Sequence, residues 1–565
     1  MRTMNFSTRI LRCLSIAAFF LAFTLGAAAQ GRDKNPPPPP PKMFGDQYHA
    51  YVARPGQLRE AIPSEIARSV RRLSIRGMLN SDDIRNLESI LNRSSCVNER
   101  GRSVDNYIEL DLSDVEFAQS VSYKRDVIPN GFLDYARHLR GIRLPRHTRE
   151  IGNRAFSHCR DLEYVEMPRF VVYIGEETFY ECERLTEIRF PEGLQEIGKE
   201  CFYKCRSLEY VQLPSTLAII GDQAFAFCLL TTLNLPSGLR SLGYNSLDGT
   251  QLREIYIPRD THIERNMPGN NKQLERIVVE RGNREYSSEN GILYDYNGTV
   301  LLQTPCGYRG QLSLPEGVEE IAPFSCMYSN ISSVYLPSSL RRIGKSAFQA
   351  CPNLTSISIP HQVSVIEPYT FADCASLGHV SLGDNVRSIG QDAFRGCKTL
   401  HDLIIPQNVV QLGKEVFKEC YGLREITIPE GVTSLPVGCF RNCNGLLSVN
   451  LPSRLISIDD EAFRGCQILP SVVIPQGVTT IGDEVFRSCD EIQEIVIPSS
   501  VTTIGKKPFT KCPKLVRIVC ESNYPPMLKS TDSKDVVLIV PQGTAKLYKK
   551  ASGWKKHKTI QENNR

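Results

Sequence analysis

Cysteine stands at positions 351, 374, 397, 420, 443, 466, 489 and 512, seven consecutive steps of 23 residues. The rest of the step repeats with it. Leu354, Ile357 and Ile359 lead to Pro360, then come Ile366, Phe371 and Cys374, and Leu377 begins the next copy. A fixed period in the twenties, carried by apolar residues and closed by a turn, marks a solenoid whose coils are single supersecondary units. One coil alone buries little. Stacking lays each leucine, isoleucine and phenylalanine on its copy in the next coil, and a buried Phe or Ile then gains about 1.5–3 kcal/mol. Several such residues per coil offset the entropy of ordering it.

The copies begin at Ile142. They open as Leu162-x-x-Val165-x-Met167-Pro168, Leu185-x-x-Ile188-x-Phe190-Pro191 and Leu208-x-x-Val211-x-Leu213-Pro214. Each is a short strand with its large residues on one side, ended by a proline that has no N–H to donate. Next come Ile151-Gly152, Ile174-Gly175, Ile197-Gly198 and Ile220-Gly221. Glycine there implies either a positive φ or a close backbone approach. An inward phenylalanine follows (Phe156, Phe179, Phe202, Phe225), then the cysteine.

Phenylalanine and cysteine vanish over residues 245–271, where strands are still expected at Leu233–Leu235, Ile255–Ile257 and Ile277–Val279. An insertion, 280–311, carries Asn290-Gly291 and Asn297-Gly298 around an apolar stretch, which predicts a hairpin excursion. The pattern resumes at Leu312 and runs to Cys520, with a last strand-like copy at Leu538–Pro541. The repeats thus divide into a first block, 141–279, and a second, 312–520.

The ends differ in kind. Residues 1–29 read as a signal peptide: Arg9 and Arg12 precede the apolar run Leu14–Leu25, too short to span a bilayer, and Ala27–Ala29 suit a signal peptidase. Residues 30–45 form a proline-rich linker in which Pro36–Pro41 predict a stiff polyproline II spacer. Residues 46–140 lack the repeat and read as an N-terminal cap domain. Helical spacing covers Glu65–Leu73 and Asp82–Leu91, Ser81-Asp82-Asp83 resembles an N-cap, and Tyr107–Leu112 alternates like a strand. Residues 521–565 read as the C-terminal cap. No later run is apolar enough for a transmembrane segment.

Composition closes off other classes. With 41% hydrophobic and 23% charged residues, disorder along the whole length is excluded. The formal charge of +5 falls further when Arg2, Arg9 and Arg12 leave with the signal, and no compact Lys/Arg block remains, so no nucleic-acid partner is expected. Nineteen cysteines in an exported chain would ordinarily imply disulfides. Most of them occupy one column, where cysteine serves as a small buried hydrophobe. Side chains in a ladder point in parallel rather than at each other, so free thiols are expected despite rungs about 4.8 Å apart.

The unit I-x-I-P…I-G-x-x-A-F-x-x-C-x-x-L resembles the BspA-like leucine-rich repeats of surface proteins from the Bacteroides group. The insertion from Tyr286 to Pro305, the stretch Leu73–Ile84, and the tail with Tyr524-Pro525-Pro526, Val540-Pro541, Gly543-Thr544, Tyr548 and Trp554 are similar to segments of such proteins. The resemblance implies a right-handed coil of units of about 23 residues, α/β-type to mainly-β, with short parallel strands on one face and a cap at each end. It also implies an exported protein, at the outer cell surface, outside the cell or in the periplasm, with a role in adhesion or host interaction and no catalytic motif.

The residues agree on the last point. H-E-x-x-H, G-x-S-x-G, the P-loop and G-x-G-x-x-G are all absent, so no enzyme, cofactor or metal site is expected. His379 and His401 sit one register apart and face differently, which does not make a zinc site. His158 adjoins Cys159, but that cysteine belongs to the structural column. Cys306 lies off the ladder, in a turn.

What the repeat leaves free is a strand face. Its two outward columns read Tyr164/Glu166, Glu187/Arg189, Tyr210/Gln212, Thr232/Asn234 and Glu254/Tyr256, then, after the insertion, Ser333/Tyr335, Ser356/Ser358 and His379/Ser381. Tyrosine and arginine are frequent interface anchors. The candidate binding residues are therefore Tyr164, Glu166, Arg189, Tyr210, Gln212, Tyr256 and Tyr335, with Tyr164, Arg189, Tyr210 and Tyr256 expected on one exposed ribbon. The alternative is that these tyrosines only fill a pleated face. The expected partner is a protein, either host matrix or another cell-surface protein. A polysaccharide stacking on the tyrosines and a structural role in an envelope assembly are the other readings.

Overall fold

The computed structural model describes residues 43–44, 46–92, 96–97, 103–104, 107–119, 124–264, 271–531 and 533–563. The expected signal peptide and the run Pro36–Pro41 lie outside the described residues. The chain winds into a parallel-strand solenoid of about 21 turns. Its first ribbon is the expected one. Tyr164–Glu166 pairs in parallel with Leu139–Arg143 below and Glu187–Ile188 above, with Gly141, Tyr164 and Glu187 in register.

A second parallel ribbon adds to it. Glu150–Ile151, Tyr173–Ile174, Glu196–Ile197 and Ile219–Ile220 pair in sequence, each just before the recurring glycine. That glycine answers the question left open by its spacing. Gly198 is not in the left-handed region, and a Cβ on it would lie 2.6 Å from the backbone carbon of Gly175 in the preceding coil. Close approach, not φ, requires glycine here. The left-handed positions fall elsewhere, twice per coil, at residues such as Arg154 (φ 58°) and His158 (φ 60°). Their amides point at the next coil: Arg154 N–H donates to the Glu176 carbonyl at 2.8 Å and His158 N–H to that of Tyr180 at 2.7 Å. A non-glycine residue in this region costs about 1–2 kcal/mol, a strain the inter-coil hydrogen bonds offset.

Inside, the phenylalanines stack coil on coil, with centroids 5.4 Å apart for Phe371 and Phe394 and 5.6 Å for Phe417 and Phe440. The seventeen cysteines from Cys159 to Cys520 are free thiols. They are more than small hydrophobes. Most thiols on the column donate to the carbonyl of the phenylalanine in the coil before: Cys374 to Phe348 at 2.9 Å, Cys443 to Phe417 at 2.9 Å, Cys182 to Phe156 at 3.2 Å; Cys351 donates instead to the Cys326 carbonyl at 3.0 Å. Burial pushes the Cys443 thiol up to about 12, so it stays protonated and able to donate.

Residues 46–140 continue the first ribbon. Gln47–Val52, Arg72–Leu79 and Ile108–Phe117 pair in parallel and join Leu139–Arg143, while helices Leu58–Ala61, Ser64–Ser69 and Ser81–Leu91 lie between them in the chain. The helical spacing of Glu65–Leu73 therefore stops at Ser69, because Arg72–Leu79 is held as a strand by partners on both sides. Helix Ser81–Leu91 is capped by Asn80, one residue earlier than expected: the Asn80 side chain accepts from the Asp82 and Asp83 amides, and Asp83 accepts from the Asn80 amide. The buried Asp83 carboxylate also takes the Leu58 N–H at 2.8 Å. At the other end Trp554 is fully buried and donates to the Pro526 carbonyl at 2.7 Å.

The apolar interior divides in two, one core running from Tyr48 to Leu293 and the other from Ile292 to Trp554. The insertion is the seam. Tyr286–Glu289 and Ile292–Asp295 form an antiparallel hairpin across Asn290 and Gly291, both left-handed (φ 53° and 81°). Ile292–Asp295 also pairs antiparallel with Val300–Gln303, which then runs parallel to Glu320–Ile321 in the second ribbon. Alternation along Ile292–Asp295 sends Leu293 into the first core and Ile292 and Tyr294 into the second. One strand thus covers both open ends.

A groove on the strand face

The first ribbon begins as a charge ladder in which the arginines are paired. Arg72 meets Glu109 at 3.4 Å, Arg140 meets Glu163 at 2.9 Å, and Arg143 sits between Asp111 (3.1 Å) and Glu166 (2.6 Å). Burial pushes the Asp111 carboxyl up, but hydrogen bonds from Ser113 and the charge of Arg143 outweigh it and hold the group below its ordinary range. Three candidate residues belong to this self-satisfied part. Glu166 is held by Arg143, and Arg189 pairs with Glu187 at 2.6 Å. Tyr164 is only half-buried rather than exposed: its ring lies over Gly141, so close that a Cβ there would fall 2.2 Å from it. It fills the pleat, while Arg189, Tyr210 and Tyr256 stand out on the ribbon as expected.

Beyond Glu187–Ile188 the ribbon changes. The expected strand Leu233–Leu235 does not form, and a single bridge joins Tyr210 to Thr232. The in-register spacing drops from 23 to 22 residues, from Tyr210 to Thr232 and from Glu254 to Arg276. Glu254–Ile257 and Arg276–Val279 then pair as a separate two-stranded sheet. With the ladder reduced to one bridge, the face opens into a groove of about 650 Å³ lined by Thr231, Thr232, Asn234, Gln251, Arg253, Glu254, Tyr256 and Gln273 over Leu233. The bridge places Tyr210 beside Thr232, at the edge of the groove, while Tyr256 lines it; Gln212 lies two residues beyond Tyr210, outside the lining. Tyr335 is exposed but lies beyond the hairpin seam, next to Ser313 and one coil from Ser358.

The lining differs from the ribbon around it in how its polar groups are used. Among the described residues, the side chains of Thr231, Thr232, Asn234, Gln251, Arg253 and Gln273 make no hydrogen bond or ion pair, and Glu254 alone has a partner, Arg276 at 3.7 Å. All are exposed. Arg253 sits one position ahead of the columns read from the sequence, and Gln251 and Gln273 sit three ahead.

The other candidates for chemistry are occupied. His379 Nδ1 lies 2.6 Å from Asp402, while His401 Nδ1 lies 2.8 Å from the Thr399 carbonyl. His158 stacks on Tyr135 at 4.4 Å, and Cys159 turns into the core to donate to the Leu133 carbonyl. Cys306 is buried in its turn, its thiol pushed up to about 12 by burial. Among the described residues no three His, Cys, Asp or Glu side chains gather to hold a metal.

The family model described as "BspA type Leucine rich repeat region" matches residues 109–228, 195–290, 306–424 and 411–527. None of the curated proteins matches the chain. Several solved structures are similar to part of the chain. A leucine-rich cell surface protein from Faecalibacterium prausnitzii A2-165 is 20% identical over 73% of this chain and 86% of its own, with a TM-score of 0.42. A leucine-rich repeat protein from Eubacterium ventriosum is 19% identical over 68% and 86%, at 0.40, and one from Bacteroides ovatus 22% identical over 67% and 87%, at 0.34.

Proposed function

The chain belongs to the BspA-type leucine-rich repeat family, and on that premise we propose that it is an exported, non-enzymatic scaffold for adhesion. It holds a macromolecule outside the cell on the strand face of its first block. Export rests on the signal-like residues 1–29 and on the family's surface-protein character; among the described residues no helix is long and apolar enough to cross a membrane. The observation that carries the reading is the groove. It is a stretch of the first ribbon where most exposed polar side chains have no partner among the described residues, beside two exposed tyrosines. Unpaired donors and acceptors can turn to a ligand without first giving up a partner among the described residues, though ordering each long side chain costs about 0.5–1.5 kcal/mol.

The second block supports a supporting role. Its outward columns mix serine and threonine (Ser356, Ser358, Thr427, Ser448) with exposed aliphatics such as Ile404 and Val473, and several of its charged groups pair with one another, as His379 does with Asp402 and Arg517 with Glu494 at 2.7 Å. It spaces the groove from whatever the C-terminal end meets. The test is a pull-down of residues 30–565 against host matrix proteins and polysaccharides, comparing the parent with a Tyr210→Ala/Tyr256→Ala variant. The expected result is capture by at least one class and loss of capture in the variant at unchanged Tm. Capture that ignores both substitutions would sink the reading.

A further inference from the structure

We infer that the groove between Thr231 and Gln273 takes a neutral polysaccharide chain, a reading that rests on the strand face being the binding surface. The first reason is the kind of polar group. Thr231, Thr232, Asn234, Gln251 and Gln273 present hydroxyls and carboxamides, which both donate and accept. A sugar hydroxyl does the same, so each lining group finds a partner whichever way the hydroxyl turns. A carboxylate-rich or ammonium-rich ligand would find only half of each amide useful.

The second reason is charge. Glu254 is answered by Arg276, which leaves Arg253 as the lining's one charged side chain without a partner among the described residues. A single exposed charge neither attracts a polyanion strongly nor repels a neutral chain. The N-terminal part of the same ribbon, with Arg72, Arg140 and Arg143, has its charges already cancelled.

The third reason is the placing of the aromatics. Tyr210 is 58% and Tyr256 46% exposed, and they stand two rungs apart, about 10 Å along the axis, on neighbouring columns. Tyr256 lines the polar floor and Tyr210 stands at its edge, a separation that suits the C–H faces of sugars two units apart in a chain. A protein partner would call instead for an apolar centre ringed by polar groups. Here the centre is polar and Leu233, beneath it, is buried.

The test uses the whole mature chain, residues 30–565, titrated calorimetrically with a neutral β-glucan, a neutral mannan and an acidic glycosaminoglycan, and with host matrix proteins alongside. At least one neutral polysaccharide should bind, with Kd unchanged when salt is raised about tenfold, since no screened ion pair is involved. Tyr256→Ala, Gln251→Ala and Gln273→Ala should each weaken it by about tenfold at unchanged Tm, and Thr427→Ala on the second block should leave it unchanged. Binding of the glycosaminoglycan alone, lost with salt, would overturn the inference. So would binding of matrix proteins alone through the same residues, though that result would leave the scaffold reading standing. Absence of any ligand in all classes, or binding indifferent to every groove substitution, would overturn both.

Discussion

The two blocks use the same position of the repeat in opposite ways. One residue after the stacked phenylalanine, the second block carries Arg395, Lys418, Arg441, Arg464 and Arg487 on successive coils. Each is answered by acids from its own or a neighbouring coil. Arg441 reaches Glu461 at 2.8 Å and Glu415 at 3.6 Å, Arg464 joins Glu461 at 2.6 Å to Glu484 at 3.2 Å, and Arg487 closes on Glu484 at 2.6 Å. The first block has Ser157, Tyr180, Tyr203 and Ala226 in that position, and Tyr180 simply stacks on Tyr203 at 5.0 Å. A coil repeated without change meets a copy of itself, so a charge that suits one junction suits them all and a continuous network forms. Where coils differ in sequence or length, side chains find no matching rung and remain turned outward. Regularity thus favours internal pairing, and irregularity leaves capacity for a ligand.

The largest expected effect tests whether the seam separates two cores. Phe417→Ala removes the middle of the second stack and should cost about 3–5 kcal/mol. Because coils couple chiefly to their neighbours, hydrogen exchange should quicken throughout the second block and hardly at all before Leu293. Equal loss of protection in both blocks would show that Ile292–Asp295 transmits cooperativity rather than bounding it.

A smaller effect is expected from the ion-pair network. Arg441→Met should destabilise by about 1–2 kcal/mol, more than the 0–1 typical of exposed pairs, because the partners are largely shielded from water. The deficit should shrink in 1 M salt, about the concentration that cuts the screening length to 3 Å. A urea titration in low and high salt reads it, and a deficit that ignores salt would mean that Arg441 acts through packing.

The smallest concerns Asp392, almost fully buried in the same network. Burial pushes its carboxyl up from the ordinary 3.8, outweighing the Gln391 hydrogen bond and the charge of Arg395. A raised folded value means that ionising Asp392 costs stability at pH 7, and that the cost fades as pH falls toward 3.8. Asp392→Asn should therefore raise Tm at pH 7 by the equivalent of under about 1 kcal/mol, with no gain at pH 3.5. A variant less stable than the parent at pH 7 would show that the pairing outweighs the burial.

Much of the fold was legible because it is written many times over. Leu, Ile, Phe and Cys at fixed steps imply stacked ladders, and the seventeen cysteines from Cys159 to Cys520 are free thiols. The role of the thiol protons was not legible: their acceptor, for most of the column the carbonyl of the phenylalanine one coil back, is a product of stacking. The second ribbon escaped notice because two-residue strands such as Glu150–Ile151 carry no alternation to read. Of the candidate residues, Tyr256 lines the groove and Tyr210 stands at its edge, and Tyr164 does neither, because Gly141 in the preceding coil leaves a hollow that its ring fills. Gln251, Arg253 and Gln273 went unread because exposed amides look alike in any coil.

The sequence by itself determined that this chain is a solenoid, which residues form its spine and where its period breaks, since periodic burial is a local property repeated along the chain. The tertiary structure alone decided what the breaks do. The insertion closes two cores with one strand because alternate side chains of Ile292–Asp295 face opposite ways, and the groove opens where the ladder keeps only the Tyr210–Thr232 bridge, although Glu254–Ile257 and Arg276–Val279, also 22 residues apart, pair fully. Both depend on which coil lies next to which, a relation that spacing along the chain implies but does not specify.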